Sequence, residues 1–371
     1  MAHALHPFRR TMMGWYKIKY WSLLLMGILF AASPLYKTAF SQIVMPHPRI
    51  GMCSARLGSK LFLIGGAESK AQNLHGLTSL PSLYGSSTVE AFDFSTMTWD
   101  ENIAPLDTPR AYATAVVLND SIYVMGGVDA NGNVLKTVEV YDQSTKEWHY
   151  TSSMLRYRKG AASVVYGDSI LVFGGSGKNG VLHTLVEAYS PASGTWSPSD
   201  STLFGRIFHR VVKIGSYVYI FGGVGAASNI VGGPLGYVEK YIPGEGVVQI
   251  KFVWKYPREF FDIVQKDDSV FAISGYGQSS SPFIDQGYYG DIELLDFRMA
   301  SENPETNAEA DTEAEATSNS IMPRVGFVAQ FANDGTVYLF GGLSPDHYSG
   351  QIPVDSVSEV SIPYGPTAVH E

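Results

Sequence analysis

Six arginines recur at a fixed distance ahead of a glycine or its substitute: Arg49, Arg110, Arg158 and Arg206 each lie 16 residues before a glycine, Arg258 lies 16 before Ser274, and Arg324 lies 17 before Gly341. Aromatic residues follow two positions later at Tyr112, Phe208 and Phe260, with Phe327 at a similar place. Guanidinium groups beside aromatic plates suit acidic peptides or anionic sugars, through charge-assisted hydrogen bonds and stacking. Arg110, Arg158, Arg206, Arg258, Tyr112 and Phe208 are therefore candidate ligand-binding residues, joined by Tyr288 and Tyr289 from a long loop. For proton transfer the candidates are Glu259 beside Arg258, and His209 near Arg206; each also reads as a structural polar residue at a strand edge.

Other chemistry is sparse. The chain lacks His-Glu-x-x-His, Gly-x-Ser-x-Gly and a complete phosphate-binding Walker sequence. Gly175-Ser-Gly177-Lys-Asn-Gly180 matches a dinucleotide fingerprint, but it leaves one strand and enters another, with no helix dipole to hold a phosphate. Asp129-Ala-Asn131-Gly-Asn133 begins like a calcium loop and lacks the glycine and glutamate that complete one, so it reads as a turn. The nine histidines show no close pair at ligand spacing. No cofactor and no metal are expected. Cys53 is the sole cysteine, which excludes an intramolecular disulfide and reads as a small buried apolar residue.

These residues are positioned by a repeat. An apolar run ending in Gly-Gly occurs at Leu61–Gly66, Ile122–Gly127, Ile170–Gly175, Val218–Gly223 and Val337–Gly342, with a degenerate sixth copy ending Ser274-Gly275. The first glycine or its substitute falls at 65, 126, 174, 222, 274 and 341. Steps of about 50 residues are the period of a four-stranded propeller blade. A second alternating strand follows each loop: Val89-Glu-Ala-Phe-Asp, Val138-Glu-Val-Tyr-Asp, Val186-Glu-Ala-Tyr-Ser, Val238-Glu-Lys-Tyr, Ile292-Glu-Leu-Leu-Asp and Val357-Ser-Glu-Val. Trp99, Trp148 and Trp196 follow in three copies.

Together these features resemble the kelch repeat over residues 42–362. The resemblance implies an all-β fold: a six-bladed kelch-type β-propeller of four-stranded antiparallel blades, with residues 42–45 supplying a strand that closes the ring. It also implies that the recurring arginine bridges backbone carbonyls between blades. Strand alternation places the loop before each first strand and the loop after Gly-Gly on one face. That face collects the long loops 67–86, 224–236, 276–290 and 343–355, which bring Tyr84, Phe283, His75, His347 and Tyr348. Kelch-type copper oxidases need a tyrosine–cysteine cofactor, which Cys53 inside a first strand does not suit. Periplasmic sialic-acid mutarotases are six-bladed kelch propellers of similar length, so an enzymatic alternative is a sugar epimerase or mutarotase in the channel mouth.

Residues 1–41 read as an export signal. Basic residues precede a 12-residue apolar run from Trp21 to Ala32, too short to span a bilayer, and Ala39-Phe40-Ser41 offers a cleavage site before Gln42. An uncleaved anchor is the alternative. The expected mature chain, 42–371, has no membrane span and is secreted, periplasmic or on the cell surface. The net charge of −9 becomes −14 when Arg9, Arg10, Lys17, Lys19 and Lys37 are removed with the signal, which argues against a nucleic-acid partner. The acidic stretch 301–320 interrupts the fifth blade and reads as a solvated loop. The expected partner is a protein, a peptide or a glycan.

Overall fold

In the repeat, Val, Ile, Phe and Tyr alternate or run together because both faces of each sheet are covered by neighbours. The computed structural model describes residues 43–67, 84–227, 230–254, 256–267, 269–277, 284–285, 288–295, 321, 323–344 and 354–362. The expected signal 1–41, the acidic stretch 301–320, and His75, Phe283, His347 and Tyr348 lie outside them.

Among the described residues every element is a strand. The first sheet holds β1 (Cys53–Leu57), β2 (Lys60–Ile64), β3 (Val89–Asp93) and β4 (Thr98–Asp100), each antiparallel to the next. The second repeats it with β5 (Thr114–Leu118), β6 (Ser121–Met125), β7 (Val138–Asp142) and β8 (Glu147–Thr151), and the third with β9 (Ala162–Tyr166), β10 (Ser169–Phe173), β11 (Leu185–Ser190) and β12 (Thr195–Ser201). A short strand, β13 (Arg206–Ile207), precedes the fourth sheet, whose order is β14 (Arg210–Ile214), β15 (Tyr217–Phe221), β18 (Tyr237–Ile242) and β19 (Gly246–Val253). The expected loop 224–236 is largely a hairpin, β16 (Val224–Ala227) and β17 (Ile230–Pro234), paired to β13.

The fifth sheet contains β20 (Asp262–Lys266), β21 (Ser269–Ile273) and β24 (Ile292–Leu295), with a small ribbon β22 (Ile284–Asp285) and β23 (Tyr288–Tyr289) between them. The sixth contains β25 (Val328–Phe331), β26 (Thr336–Phe340) and β27 (Ser358–Ser361). These are the six blades of a kelch-type propeller. The segment expected to close the ring makes one antiparallel bridge, Val44 opposite Ser356, and the Met45 N–H donates to the Asp355 carbonyl at 2.7 Å.

The core sits between blades. Phe62 and Ile64 of the first pack with Ile122, Tyr141 and Trp148 of the second. Tyr123 and Met125 meet Ile170, Tyr189 and Trp196 of the third. Further clusters join third to fourth, fourth to fifth, and fifth to sixth. Phe92 of the first blade meets Phe340 of the sixth at 5.5 Å between ring centroids. Each such buried side chain contributes about 1.5–3 kcal/mol through loss of apolar surface from water. Trp148 and Trp196 pin their blades to the preceding connection, each indole N–H donating at 2.8 Å to the carbonyl of Ala104 or Ser152.

Candidate functional site

Each recurring arginine is spent inside its own blade. Nη1 of Arg110, Arg158, Arg206, Arg258 and Arg324 donates to the carbonyl of Gly126, Gly174, Gly222, Ser274 and Gly341 respectively, at 2.5–3.2 Å. The regular spacing is therefore the length of one hairpin, from the start of the inner strand to the first glycine. The other edge of the fork meets the glutamate of the third strand. Arg110–Glu139 and Arg158–Glu187 stand at 2.7 Å, Arg206–Glu239 at 2.8 Å and Arg49–Glu90 at 3.2 Å. Arg258 takes Asp291 at 2.7 Å and Glu293 at 2.5 Å, with its guanidinium 4.0 Å from the Tyr289 ring centroid.

All six arginines are buried. Arg110, Arg158, Arg206 and Arg258 accordingly do not present their charge at a ligand face, which corrects the expectation from sequence. Their donors are already engaged, and a buried guanidinium cannot shed its partners for a ligand without a large desolvation cost. Tyr289 is likewise buried beneath Arg258. Burial holds Arg158 and Arg206 below the ordinary arginine range, with their glutamates opposing that shift. In the sixth blade a serine, Ser358, stands where the others carry the glutamate and accepts from Arg324 Nη2 at 2.5 Å. Burial brings Arg324 down to about 10. The glutamates recur in the sequence in step with the arginines, which was the available signal for the pairing.

Two residues beyond each arginine the chain enters the left-handed region. Gly51, Tyr112, Gly160, Phe208, Phe260 and Gly326 have φ of 54–65°. The turn aims successive N–H groups around the axis. Gly326 donates to Phe260, Gly51 to Gly326, Tyr112 to Gly51, Gly160 to Tyr112 and Phe208 to Gly160, at 2.8–3.1 Å. Glycine and aromatic residues share this ring for steric reasons. A Cβ on Gly51 would lie 2.5 Å from the Tyr112 ring, and one on Gly160 would lie 2.8 Å from that of Phe208. Phe208 packs against Phe260 with ring centroids 4.1 Å apart and planes tilted by 31°, and meets Tyr112 edge-on at 5.3 Å. Tyr112 and Phe208 thus pack across the channel as a plug, each only 8% exposed.

On the loop side of the plug lies an apolar layer including Ile50, Val128, Ile207, Tyr288 and Leu343. Tyr288 packs there against Tyr276 at 5.5 Å, nearly perpendicular. Glu259 interrupts the layer's chemistry. It is buried, its backbone bridges Tyr276, and burial alone raises its carboxyl to about 8. His209 is fully buried with its ring against Gly174, and burial, then Arg206, Arg210 and Arg158, push it well below the usual histidine range. It is a neutral core residue without access to a substrate. Cys53 is buried in β1 and pushed up to about 12 by burial, which leaves an inert thiol.

Among the described residues of the loop face, a cluster of exposed charged, aromatic and apolar side chains lies at the third blade. Tyr157, adjacent to buried Arg158, is 36% exposed, and Lys178 and Lys136 stand 3.8 and 5.5 Å from its ring centroid. Its carbonyl meets His183 at 3.1 Å, and Lys159 bridges Ser176 beside it. Burial, then Arg158, lower the His183 pKa, with a further push from the exposed Arg156. Leu155, Val181 and Leu203 are 47%, 60% and 56% exposed on connections of the same face. The nearby Asp129 turns its carboxylate back on its own loop, accepting from the Asn131 and Asn133 N–H groups at 2.7 and 2.8 Å. Among the described residues no group of three or more His, Cys, Asp or Glu can hold a metal ion, and no helix is long and apolar enough to cross a membrane. Neither Tyr157 nor the lysines around it were singled out from sequence.

Six antiparallel sheets about a plugged axis, each locked by an arginine and mostly by a glutamate, define a kelch propeller. A family model described as the KLHDC2/KLHL20/DRC7 Kelch-repeats domain matches residues 37–223, and the chain belongs to the kelch-repeat family. Kelch-like protein 23 of Homo sapiens is 30% identical over 110 residues, 29% of this chain and 16% of that protein. Alpha-scruin of Limulus polyphemus is 25% identical over 118 residues, 32% of this chain and 12% of that protein. The chain therefore matches a small part of these relatives. A solved structure titled "Structure of YjhT" shares the fold with a TM-score of 0.62 at 15% identity, covering 86% of this chain and 96% of that one.

Proposed function

We propose that the propeller is a recognition module whose loop face binds an acidic segment of a protein partner at the third blade. One observation carries this reading: an exposed tyrosine flanked by Lys178 and Lys136, with Arg156 and Lys159 adjacent and exposed Leu155, Val181 and Leu203 on the same face. Lysines beside an aromatic plate attract carboxylates at long range, while the apolar neighbours supply the buried contact that gives affinity. The experiment is selection of a random peptide library on purified residues 42–371. Enriched peptides should carry several Asp or Glu residues around a hydrophobic anchor and should be lost on the Tyr157→Ala/Lys178→Glu double variant. Selection of sugar acids or neutral glycans in a parallel array, with no peptide enriched, overturns the protein-partner reading in favour of a glycan.

A second reading, a sugar epimerase or mutarotase, is favoured by Glu259, a carboxyl raised to about 8 and so still protonated at neutral pH. Anomer interconversion of a sialic acid, followed by proton NMR and abolished in Glu259→Gln, supports it. Export is part of the proposal as well, resting on the basic and apolar pattern of residues 1–41. N-terminal sequencing of the protein recovered from outside the cytoplasm should begin at Gln42.

A further inference from the structure

On the far side of the plug, the inner strands line a cavity of about 170 Å³ that is partly open to solvent. Its walls are unequal. The first three blades contribute hydroxyls, Ser54, Thr114 and Ser163, with Thr114 Oγ1 and Ser163 Oγ 2.6 Å apart. The fourth and fifth contribute an ion pair, Arg210 Nε to Asp262 Oδ1 at 2.8 Å, whose arginine stays 32% exposed.

The two partners of that pair are not equally satisfied. Asp262 also accepts from the backbone N–H of Ile263 at 2.9 Å and of Ala329 at 2.7 Å, so three donors converge on its carboxylate. Arg210 spends Nε on Asp262 and reaches the His209 carbonyl with Nη1 at 3.3 Å, and Nη2 has no protein partner among the described residues. A guanidinium oriented through Nε presents the rest of its fork to a planar anion. A cavity of about 150 Å³ accommodates a six-atom ring, so this one takes about six to eight non-hydrogen atoms.

We propose that the channel cavity binds a small hydroxycarboxylate of three or four carbons, its carboxylate on Arg210 and its hydroxyls on Thr114, Ser163 and Ser54. The site is separated from the loop face by the layer of Tyr112, Phe208 and Phe260, so it is independent of the partner-binding reading.

The probe is D-glycerate, titrated by calorimetry into purified residues 42–371, with propionate and glycerol as comparators. The expected result is saturable glycerate binding at least tenfold tighter than either comparator, because each lacks one half of the recognised chemistry. Arg210→Gln should weaken it tenfold or more. Since that change also disturbs Asp262, Ser163→Ala serves as the second variant: it leaves the ion pair intact and should weaken glycerate about three- to tenfold without changing the melting temperature. Equal binding of glycerol and glycerate, glycerate affinity unmoved in both variants, or no saturable binding by the parent protein overturns the proposal.

Discussion

Taking an arginine and a glutamate out of water costs several kcal/mol per ion, and the pairs in these blades recover that cost only because nearly every donor and acceptor is matched. Glu187 shows the arrangement: Oε1 holds Arg158 while Oε2 accepts the Leu155 N–H at 2.6 Å. Glu187→Gln should therefore lower stability by about 3–5 kcal/mol in urea titrations, since it strands a buried cation. Replacing both partners by methionine should restore most of that loss; a double variant as unstable as the single one would show that packing, not charge, holds the site. Glu259 makes the opposite case. Its carboxyl is raised to about 8 from an ordinary 4.5, so between these values the unfolded chain gives up a proton that the native state keeps. Stability falls as pH rises through that window, by an amount on the order of 4 kcal/mol at its upper end, and no further above it. Glu259→Gln should match the parent near pH 4.5 and exceed it at pH 8; parallel stability profiles across pH 4.5–8.5 would refute the shift.

At the scale of elements, the axis is built from left-handed turns occupied by three glycines and three aromatic residues. Gly160 has φ of 60° and would bring a Cβ within 2.5 Å of Ile207 and 2.8 Å of Phe208, whereas Gly167 has φ of 57° with nothing within 4 Å. Gly160→Ala should cost about 2–4 kcal/mol and Gly167→Ala only about 1 kcal/mol, measured as urea midpoints, because the first adds overpacking to a shared backbone strain. The N-terminal segment is tested similarly. Met45 is 1% exposed, so Met45→Ala should lower stability by about 2–5 kcal/mol, and a chain beginning at Pro46 should melt no higher than that variant. An unchanged melting temperature would mean that residues 44–45 contribute nothing to holding the sixth blade.

For the whole molecule, the fold was legible because its cause is periodic: every blade repeats the same hairpin, with Gly-Gly at the end of the second strand in five blades and Ser274-Gly275 in the other. The roles of Arg110, Arg158, Arg206 and Arg258 were not legible in the same way. Spacing shows that these residues are equivalent but not how deep they lie, and a ring of arginines reads alike whether it faces a ligand or a glutamate. Depth becomes readable only when Glu90, Glu139, Glu187, Glu239 and Glu293 are set against the arginines copy by copy. Tyr157 stands at a repeat position, the one before the arginine, where four copies carry proline and another glycine, so its role belongs to one blade alone and the pattern says nothing of it. The same holds for Arg210 and Asp262, which pair across blades through positions that carry other residues elsewhere in the ring.

The central claim is that this unrepeated patch, not the repeated arginines, meets the partner. Its most direct test is the dissociation constant of one library-selected acidic peptide for the parent, for Tyr157→Ala and for Lys178→Glu, at low and at physiological salt. We expect at least a tenfold loss for each variant, and a salt dependence that shrinks in Lys178→Glu because a screened attraction has been removed. Affinity unchanged in both variants, in protein that melts like the parent, would contradict the account.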